Sequence, residues 1–195
     1  MGALLAGSRI TTLHRRLREL EDASDFEPHL LPALDARTSL APWPRLDADF
    51  CRTPHWQGVA AETGAIARQR GRAGVSGSAF AARWLARLEE LRDWAAGSEE
   101  VGAGGTASAS QVAPGIGRAL VETARGLLMH EIVLDGDRIA DYLIVAPTEW
   151  NFHPQGPLAG WILGRDASDR DALHAFAARA VAALDPCVRW ELEWL

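Results

Sequence analysis

Two apolar runs separated by a short turn signal constrain this sequence more than any other feature. Gly126 to Leu134 and Arg138 to Val145 flank the dipeptide Asp135-Gly136. Asp-Gly between two such runs favours a tight β-hairpin, because glycine tolerates the positive φ angles that the turn needs. The second run is followed by Pro147, which has no N–H to donate to a β-ladder. We therefore predict a hairpin whose second strand ends before residue 147.

Helical periodicity occurs on both sides of this hairpin. Residues 8–22, 78–96 and 169–184 carry apolar side chains at helical spacing, and a short helix is predicted near residues 60–68. Five prolines between residues 23 and 55 predict an irregular segment there. The Gly, Ser and Ala content of residues 97–110 predicts a flexible loop. We predict one α+β domain over residues 1–195, mostly helical with a β-hairpin or small sheet.

The composition excludes several classes of function. With 48% hydrophobic residues and eight Trp, the chain can build a packed core. The net charge of −6 argues against a nucleic-acid partner, and no apolar run has the length of a membrane helix. Two cysteines do not make a disulfide framework, so the cytoplasm is the default compartment.

Three segments carry side chains that could act together. Arg125 lies at the entrance to the hairpin, Thr148 lies at its exit, and Cys187 follows the last predicted helix. Because a hairpin brings its two ends together, Arg125 and Thr148 can lie close in space. Docking of the last helix beside the hairpin would add Cys187. A soft thiolate, a guanidinium and a hydroxyl suit a small metal group whose ligands accept hydrogen bonds.

Each of these residues also has a purely structural interpretation. Cys187 could be a small core residue behind a helix. Arg125 could form an ordinary buried ion pair with Glu122 or Asp185, and Thr148 could simply end a strand. The two interpretations are compatible, because a carboxylate partner can also orient a guanidinium for ligand binding.

The three segments resemble the C-terminal half of the large subunit of nickel–iron hydrogenases. That family carries Glu-Ala-Pro-Arg-Gly, Val-Pro-Thr/Ser-Thr-Trp-Asn and a final Asp-Pro-Cys-x-x-Cys-x-x-His. Here the counterparts are residues 122–126, 146–151 and 185–193. An upstream match, residues 54–68, is similar to Pro-Arg-Tyr-x-Gly-x-x-x-Glu-Val-Gly-Pro-Leu-Ala-Arg. The four matches stand in the order of the family.

The resemblance implies roles for five residues. In the family, the Arg of the first hairpin segment approaches one cyanide of the iron centre, and the Pro-Thr/Ser pair contacts the other. The first Cys of the terminal motif bridges nickel and iron. These roles carry over to Arg125, to Pro147 and Thr148, and to Cys187 as the metal ligand. Asp185 matches the acid that neighbours this Arg.

The departures from the family pattern concern nickel. The family's N-terminal Cys-x-x-Cys has no counterpart, and Trp190 and Glu193 stand in place of the second C-terminal Cys and the His. Ala124 replaces the Pro before the Arg. A nickel site that needs four thiolates therefore cannot form, whereas the residues on the iron side are kept. This pattern resembles the HupK/HoxV family of hydrogenase accessory proteins.

That second resemblance implies a non-enzymatic scaffold in hydrogenase maturation. The protein would hold the Fe(CN)2CO unit transiently through Cys187, without nickel, for delivery to the large subunit. Its partners would be the small iron-carrying chaperone of the maturation complex and the large subunit itself. The alternative is an interaction protein that protects the immature large subunit without binding iron. An enzyme is not expected, because no nucleophile–base pair or complete metal site is readable.

Four further residues receive mainly structural interpretations. Glu62 is interpreted as a carboxylate at a helix start, and His130 as a packing residue of a strand. His153 is a weak ligand candidate because it follows the Pro147-Thr148 segment. Cys51 has no counterpart in the family pattern and is interpreted as a buried thiol, and the alternative is a second ligand or redox partner.

Overall fold

The computed structural model describes Thr12, Arg15 and residues 26–33, 43–69, 79–97 and 107–194. A four-stranded antiparallel sheet forms one side of the molecule, and helices pack around it together with a two-stranded parallel pair. The strands are β1 (His29–Leu30), β2 (Ala61–Glu62), β3 (Ala107–Ala113), β4 (Ile116–Thr123), β5 (Gly126–Asp135) and β6 (Arg138–Val145). The helices are α1 (Ala48–Arg52), α2 (Ala65–Arg68), α3 (Ala79–Ala95), α4 (Pro147–Asn151), α5 (Pro157–Ile162) and α6 (Arg170–Leu184).

The predicted hairpin is confirmed as β5 and β6. Asp135 pairs with Arg138, so the two turn residues are Gly136 and Asp137, one position later than predicted. The hairpin is part of a larger sheet in the order β3-β4-β5-β6. Residues 107–110, predicted to belong to a flexible loop, are the start of β3. This edge strand is mostly exposed, so its Ala and Ser residues lack the apolar alternation that reveals a strand.

One face of the sheet covers the larger of two apolar clusters. Buried and half-buried residues alternate along β4 and β5, as expected for a sheet with one covered face. Opposite each other on that face, Arg118 and Glu131 form a buried ion pair with a closest distance of 2.5 Å. Arg118 also donates to the carbonyl of Trp43 at 2.9 Å. The buried members of this cluster are Leu31, Trp43, Leu46, Ala61, Leu120, Leu127, Met129, Val145 and Trp150.

A second cluster lies between α3, α5 and α6. Its buried members are Phe80, Trp161, Phe176, Ala180, Ala183 and Leu184. Both long helices match their predicted spans to within a residue, and Asp169 caps the start of α6. The apolar spacing of residues 78–96 places Phe80, Trp84, Leu85, Leu88 and Leu91 on one face of α3. That face is only partly buried, because Trp84 and Leu91 are 40% and 56% exposed, and Arg83 is buried instead. The charge of Arg83 is compensated inside the protein, as described below.

The N-terminal third differs most from its predictions. Of the predicted helix over residues 8–22, only Thr12 and Arg15 are described, and both are helical. Helix α1 forms within the predicted irregular segment, where the Asp47 carboxylate accepts from the backbone N–H groups of Asp49 and Phe50. The helix predicted near residues 60–68 is instead strand β2 followed by the short α2. Within the described ranges, no helix combines the length and apolar character that crossing a membrane requires.

Candidate functional site

The predicted thiol and hydroxyl come together at one surface position. Thr148 Oγ1 lies 3.5 Å from Cys187 Sγ, although 39 positions separate the two residues. Thr148 sits in the first turn of α4, where Pro147 occupies the first helical position and Glu149 accepts from the N–H of Ala146 at 2.8 Å. Cys187 is exposed and has a free thiol. A ligand from solvent can therefore reach the sulfur directly.

The predicted arginine and acid form the adjoining part of this site. Arg125 Nε donates to the main-chain oxygen of Asp185 at 3.1 Å and lies 3.4 Å from its carboxylate. The two side chains are 45% and 43% exposed. Asp185 caps the C-terminal end of α6 in the left-handed conformation, with φ 54°. Of the two predicted partners of Arg125, Asp185 is confirmed, but the pair is not buried.

A close approach of two backbone segments holds Arg125 in place. Gly126 has φ 133°, and a Cβ atom there would lie 2.4 Å from Thr63 Cγ2. A Cβ atom at Gly64 would lie 2.9 Å from the carbonyl oxygen of Arg125. Both positions require glycine, because any side chain would push the two segments apart.

Side-chain hydrogen bonds join the same segments to α4. Thr63 Oγ1 accepts from the N–H of Leu127 at 2.9 Å. The N–H of Thr63 donates in turn to Asn151 Oδ1 at 2.9 Å. Asn151 thus connects the helix of Thr148 to the start of β5, next to Arg125. Thr63 and Gly64, which lie in the upstream match, therefore support the site structurally.

Two ion pairs near the site differ from the interpretation of the sequence, namely Glu62–Arg83 and Glu122–Arg68. Glu62 is not a helix-start carboxylate, because it lies in β2 and is 1% exposed. It pairs with Arg83 at 2.6 Å and 2.8 Å. Glu122, a predicted alternative partner of Arg125, binds Arg68 at 2.8 Å instead. Arg83 is the sole charged residue in positions 79–86, a signal that could have identified it as buried and paired.

The second cysteine belongs to the core rather than to the site. Cys51 is half-buried on α1 and packs against the cluster beneath the sheet. Burial raises the pKa of its thiol, and the charge of Asp47 adds to this effect, against a lowering hydrogen bond with the Ile144 backbone. Across the described ranges, no group of three or more His, Cys, Asp and Glu side chains could hold a metal ion.

Of the two histidines singled out in the sequence, His153 is buried and His130 is half-buried. His153 is 3% exposed, contacts His55 edge-on at 4.6 Å, and accepts from the N–H of Gln155 through Nδ1. Burial lowers the pKa of His153, and the nearby His55 lowers it further. His130 Nδ1 lies 2.7 Å from the hydroxyl of Tyr142. Neither contact places these rings beside the thiol.

The fold and the site define a class of protein. Residues 64–189 match the family model of nickel-dependent hydrogenases. This match covers more than half of the 195 residues, so the chain belongs to the nickel-dependent hydrogenase family. The matched region contains all five residues of the predicted site.

Two relatives of this chain are named hydrogenase expression/formation proteins. The chain is 39% identical over 182 residues to the hydrogenase expression/formation protein HoxV of Cupriavidus necator, covering 85% of this chain and 46% of HoxV. It is 34% identical over 186 residues to the hydrogenase expression/formation protein HupK of Rhizobium leguminosarum bv. viciae, covering 90% of this chain and 50% of HupK. The predicted resemblance to HupK and HoxV is confirmed. The chain spans about half the length of these relatives.

Solved structures confirm the predicted fold class. The nickel–iron–selenium hydrogenase of Desulfovibrio vulgaris Hildenborough in its reduced state superposes with a TM-score of 0.51 at 20% identity. The superposition covers 71% of this chain and 36% of that chain. A variant of the same enzyme gives a TM-score of 0.51 at 23% identity over the same shares. The chain therefore has the mixed helix-and-sheet fold of part of a hydrogenase large subunit.

Proposed function

We propose that this protein is a non-enzymatic scaffold in nickel–iron hydrogenase maturation. It holds the Fe(CN)2CO unit transiently and passes it to the hydrogenase large subunit in the cytoplasm. The observation that carries this proposal is the approach of Cys187 to Thr148, 3.5 Å apart and exposed, beside the Arg125–Asp185 pair. The names of the relatives, which are hydrogenase expression and formation proteins, support the maturation role.

The donors of the site suit such a cargo. A thiolate is a soft ligand for iron, and Cys187 supplies one that faces solvent. Cyanide ligands carry negative charge at nitrogen and accept charge-assisted hydrogen bonds from a guanidinium. Arg125 presents its remaining N–H groups at a half-exposed position, and Thr148 adds a hydroxyl. A single exchangeable thiolate favours transfer, because a closed site with several thiolates would release its cargo slowly.

Infrared spectroscopy tests iron carriage directly. Protein purified from a host with active maturation machinery is expected to show cyanide and carbonyl stretches. These bands should vanish in Cys187→Ala and persist in Cys51→Ala, the matched control that removes the half-buried thiol. Well-folded wild-type protein without such bands would sink the proposal of iron carriage.

The partners follow from the same proposal. A small iron-carrying chaperone would load the unit, and the hydrogenase large subunit would receive it. Co-purification of tagged wild-type protein with both is expected. If the cargo bridges the proteins during loading, Cys187→Ala should weaken capture of the chaperone more than capture of the large subunit. Equal capture of the chaperone by wild type and variant would contradict a cargo-mediated handover.

An exposed apolar surface favours one alternative function. Trp84, Leu91 and Trp94 lie exposed along α3, and Val188 and Trp190 are exposed in the C-terminal segment beside Cys187. Exposed apolar residues in such number are typical of protein–protein contact. The alternative is an interaction protein that protects the immature large subunit without iron. Capture of the large subunit that is indifferent to Cys187→Ala and Arg125→Ala, with no metal in any sample, would favour it.

A further inference from the structure

A second arginine reaches the segment that carries Cys187. Arg87 lies on α3, and its guanidinium donates to the carbonyl oxygen of Ala183 near the end of α6. The last four carbonyls of a helix have no partner within the helix. The carbonyl of Val181 accepts from the N–H of Asp185. The carbonyl of Ala183, a residue that is 0% exposed, accepts from Arg87 on another helix. Arg87 is thus the residue that closes the end of this helix.

The chain changes direction immediately after that contact. Asp185 adopts φ 54° and ψ 63°, a left-handed conformation that residues other than glycine rarely take. The residue after it is Pro186, which restricts the backbone of Asp185 further. A turn of this kind persists when the surrounding contacts hold it in place.

Two guanidiniums bind main-chain oxygens of this turn. Arg87 binds the carbonyl of Ala183 before the turn, and Arg125 binds the main-chain oxygen of Asp185 within it. Both arginines also line one small recess of about 10 Å³, which has room for about one water molecule. The direction in which the chain leaves α6 toward Cys187 is therefore set by two cations on different elements.

The charge of Arg87 is directed to the same turn. Among the described residues, no carboxylate forms an ion pair with Arg87, and its guanidinium lies over the ring of Trp84 at 5.0 Å. Burial lowers the pKa of Arg87, and the negative charge of Asp185 is the largest effect that opposes this lowering. Asp185 is the ion-pair partner of Arg125, and its charge also acts on Arg87.

We infer that Arg87 is a positioning residue for Cys187. It fixes the end of α6 and, with Arg125, holds the turn at Asp185, so that the exposed thiol stays beside Thr148. The value of this position for cargo binding rests on the proposed function. The role of Arg87 in positioning Cys187 can be measured in the protein without cargo, so this test does not depend on the proposed function.

Selective labelling gives a direct test. With ¹⁵N-cysteine, the protein shows two amide resonances, from Cys51 and Cys187. Arg87→Met keeps a long, unbranched side chain and removes the guanidinium. The Cys187 resonance is expected to shift, and its order parameter to fall from about 0.85 to about 0.6 or below. The Cys51 resonance should not change, since that residue packs against the other cluster.

Two further variants complete the experiment. Arg92→Met is the matched control, because Arg92 lies on the same helix with its side chain 53% exposed and paired with Glu89. It should leave both resonances unchanged. If Arg87→Met does not fold, Arg87→Gln removes the charge with a polar side chain. An unmoved, rigid Cys187 resonance in either folded Arg87 variant overturns the inference.

The infrared measurement separates this inference from the proposed function. If the protein carries iron, Arg87→Met should weaken the cyanide and carbonyl bands relative to Arg92→Met. If wild-type protein shows no bands, iron carriage fails while the resonance shifts still decide the role of Arg87.

Discussion

Two arginine–carboxylate pairs of the same chemistry lie in opposite environments. Glu62 and Arg83 are 2.6 Å apart with side chains 2% and 7% exposed. Arg125 and Asp185 are 3.4 Å apart with side chains 45% and 43% exposed. The first pair is sealed and has no access to a ligand, whereas the second keeps donors open to solvent. Glu62 of the buried pair is followed by Thr63, which supports the segment of the exposed pair. We call the buried Glu62–Arg83 pair and Thr63 the support of the site.

The two cysteines show the same contrast. Cys51 is half-buried, and burial raises the pKa of its thiol, which disfavours the thiolate that binds metals. Cys187 is exposed beside Thr148. The protein therefore separates a structural thiol from one that is available for binding.

The largest expected effect comes from opening the closed pair. Arg83→Met leaves the buried Glu62 carboxylate without its partner, and should cost about 3–5 kcal/mol of folding stability. Urea denaturation followed by circular dichroism measures this loss. Arg92→Met on the same helix is the control and should cost about 0–1 kcal/mol. A loss below about 1 kcal/mol in Arg83→Met would contradict the burial of this ion pair.

A smaller loss of folding stability is expected at Gly126, where the segment of Arg125 contacts Thr63. Gly126→Ala places a Cβ atom 2.4 Å from Thr63 at φ 133°, so strain and crowding together should cost about 2–4 kcal/mol. Gly164→Ala is the control, because Gly164 has φ 80° and open space around it. That variant should lose about 1–2 kcal/mol from backbone conformation alone. Equal melting temperatures for the two variants would show that the close approach at Gly126 has little energetic importance.

The buried histidine predicts a dependence of stability on pH. The pKa of His153 is lowered in the folded state by burial and by His55, from an ordinary value of 6.5. Between the folded and unfolded pKa values the unfolded chain binds more protons, so stability is full above about pH 6.5 and falls as the pH decreases. The slope from this residue is at most about 1.4 kcal/mol per pH unit. Urea midpoints at pH 7.5 and 5.5 should differ less in His153→Gln than in wild type, and equal differences would contradict the prediction.

The smallest effect on stability is expected at the open pair. Arg125→Ala should cost about 0–1 kcal/mol, because exposed ion pairs gain little and are screened by salt. The same variant should nevertheless lose the cyanide and carbonyl bands if the proposed function holds. Stability and infrared spectra of one preparation provide both measurements. A stability loss as large as that of Arg83→Met would show that the exposed and buried ion pairs do not differ in their contribution to folding.

Much of the site could be predicted from sequence, because its residues lie in short segments with fixed neighbours. Pro147 ends a strand and begins a helix, and Cys187 follows a helix that Pro186 terminates. These are local consequences of proline geometry and apolar periodicity. The hairpin then brings the ends of β5 and β6 together, which is why Arg125 and Thr148 could be assigned to one region.

The support of the site could not be predicted in the same way. Arg83 lies on a face of α3 that the apolar spacing did not indicate, because a buried charge depends on a partner from β2. The bridge from Thr63 to Asn151 joins residues 88 positions apart. The contact of Arg87 with Ala183 joins residues 96 positions apart. No local pattern encodes such pairs.

The sequence by itself determined the hairpin, the two long helices and the family motif, since each depends on neighbouring residues and on side-chain spacing. Only the tertiary structure decided which charged side chains are buried and which are exposed. Glu62 and Asp185 are both carboxylates next to an arginine, and their exposure separates their roles. Exposure is set by the packing of distant elements, because desolvation depends on everything that surrounds a charge and not on its position in the chain.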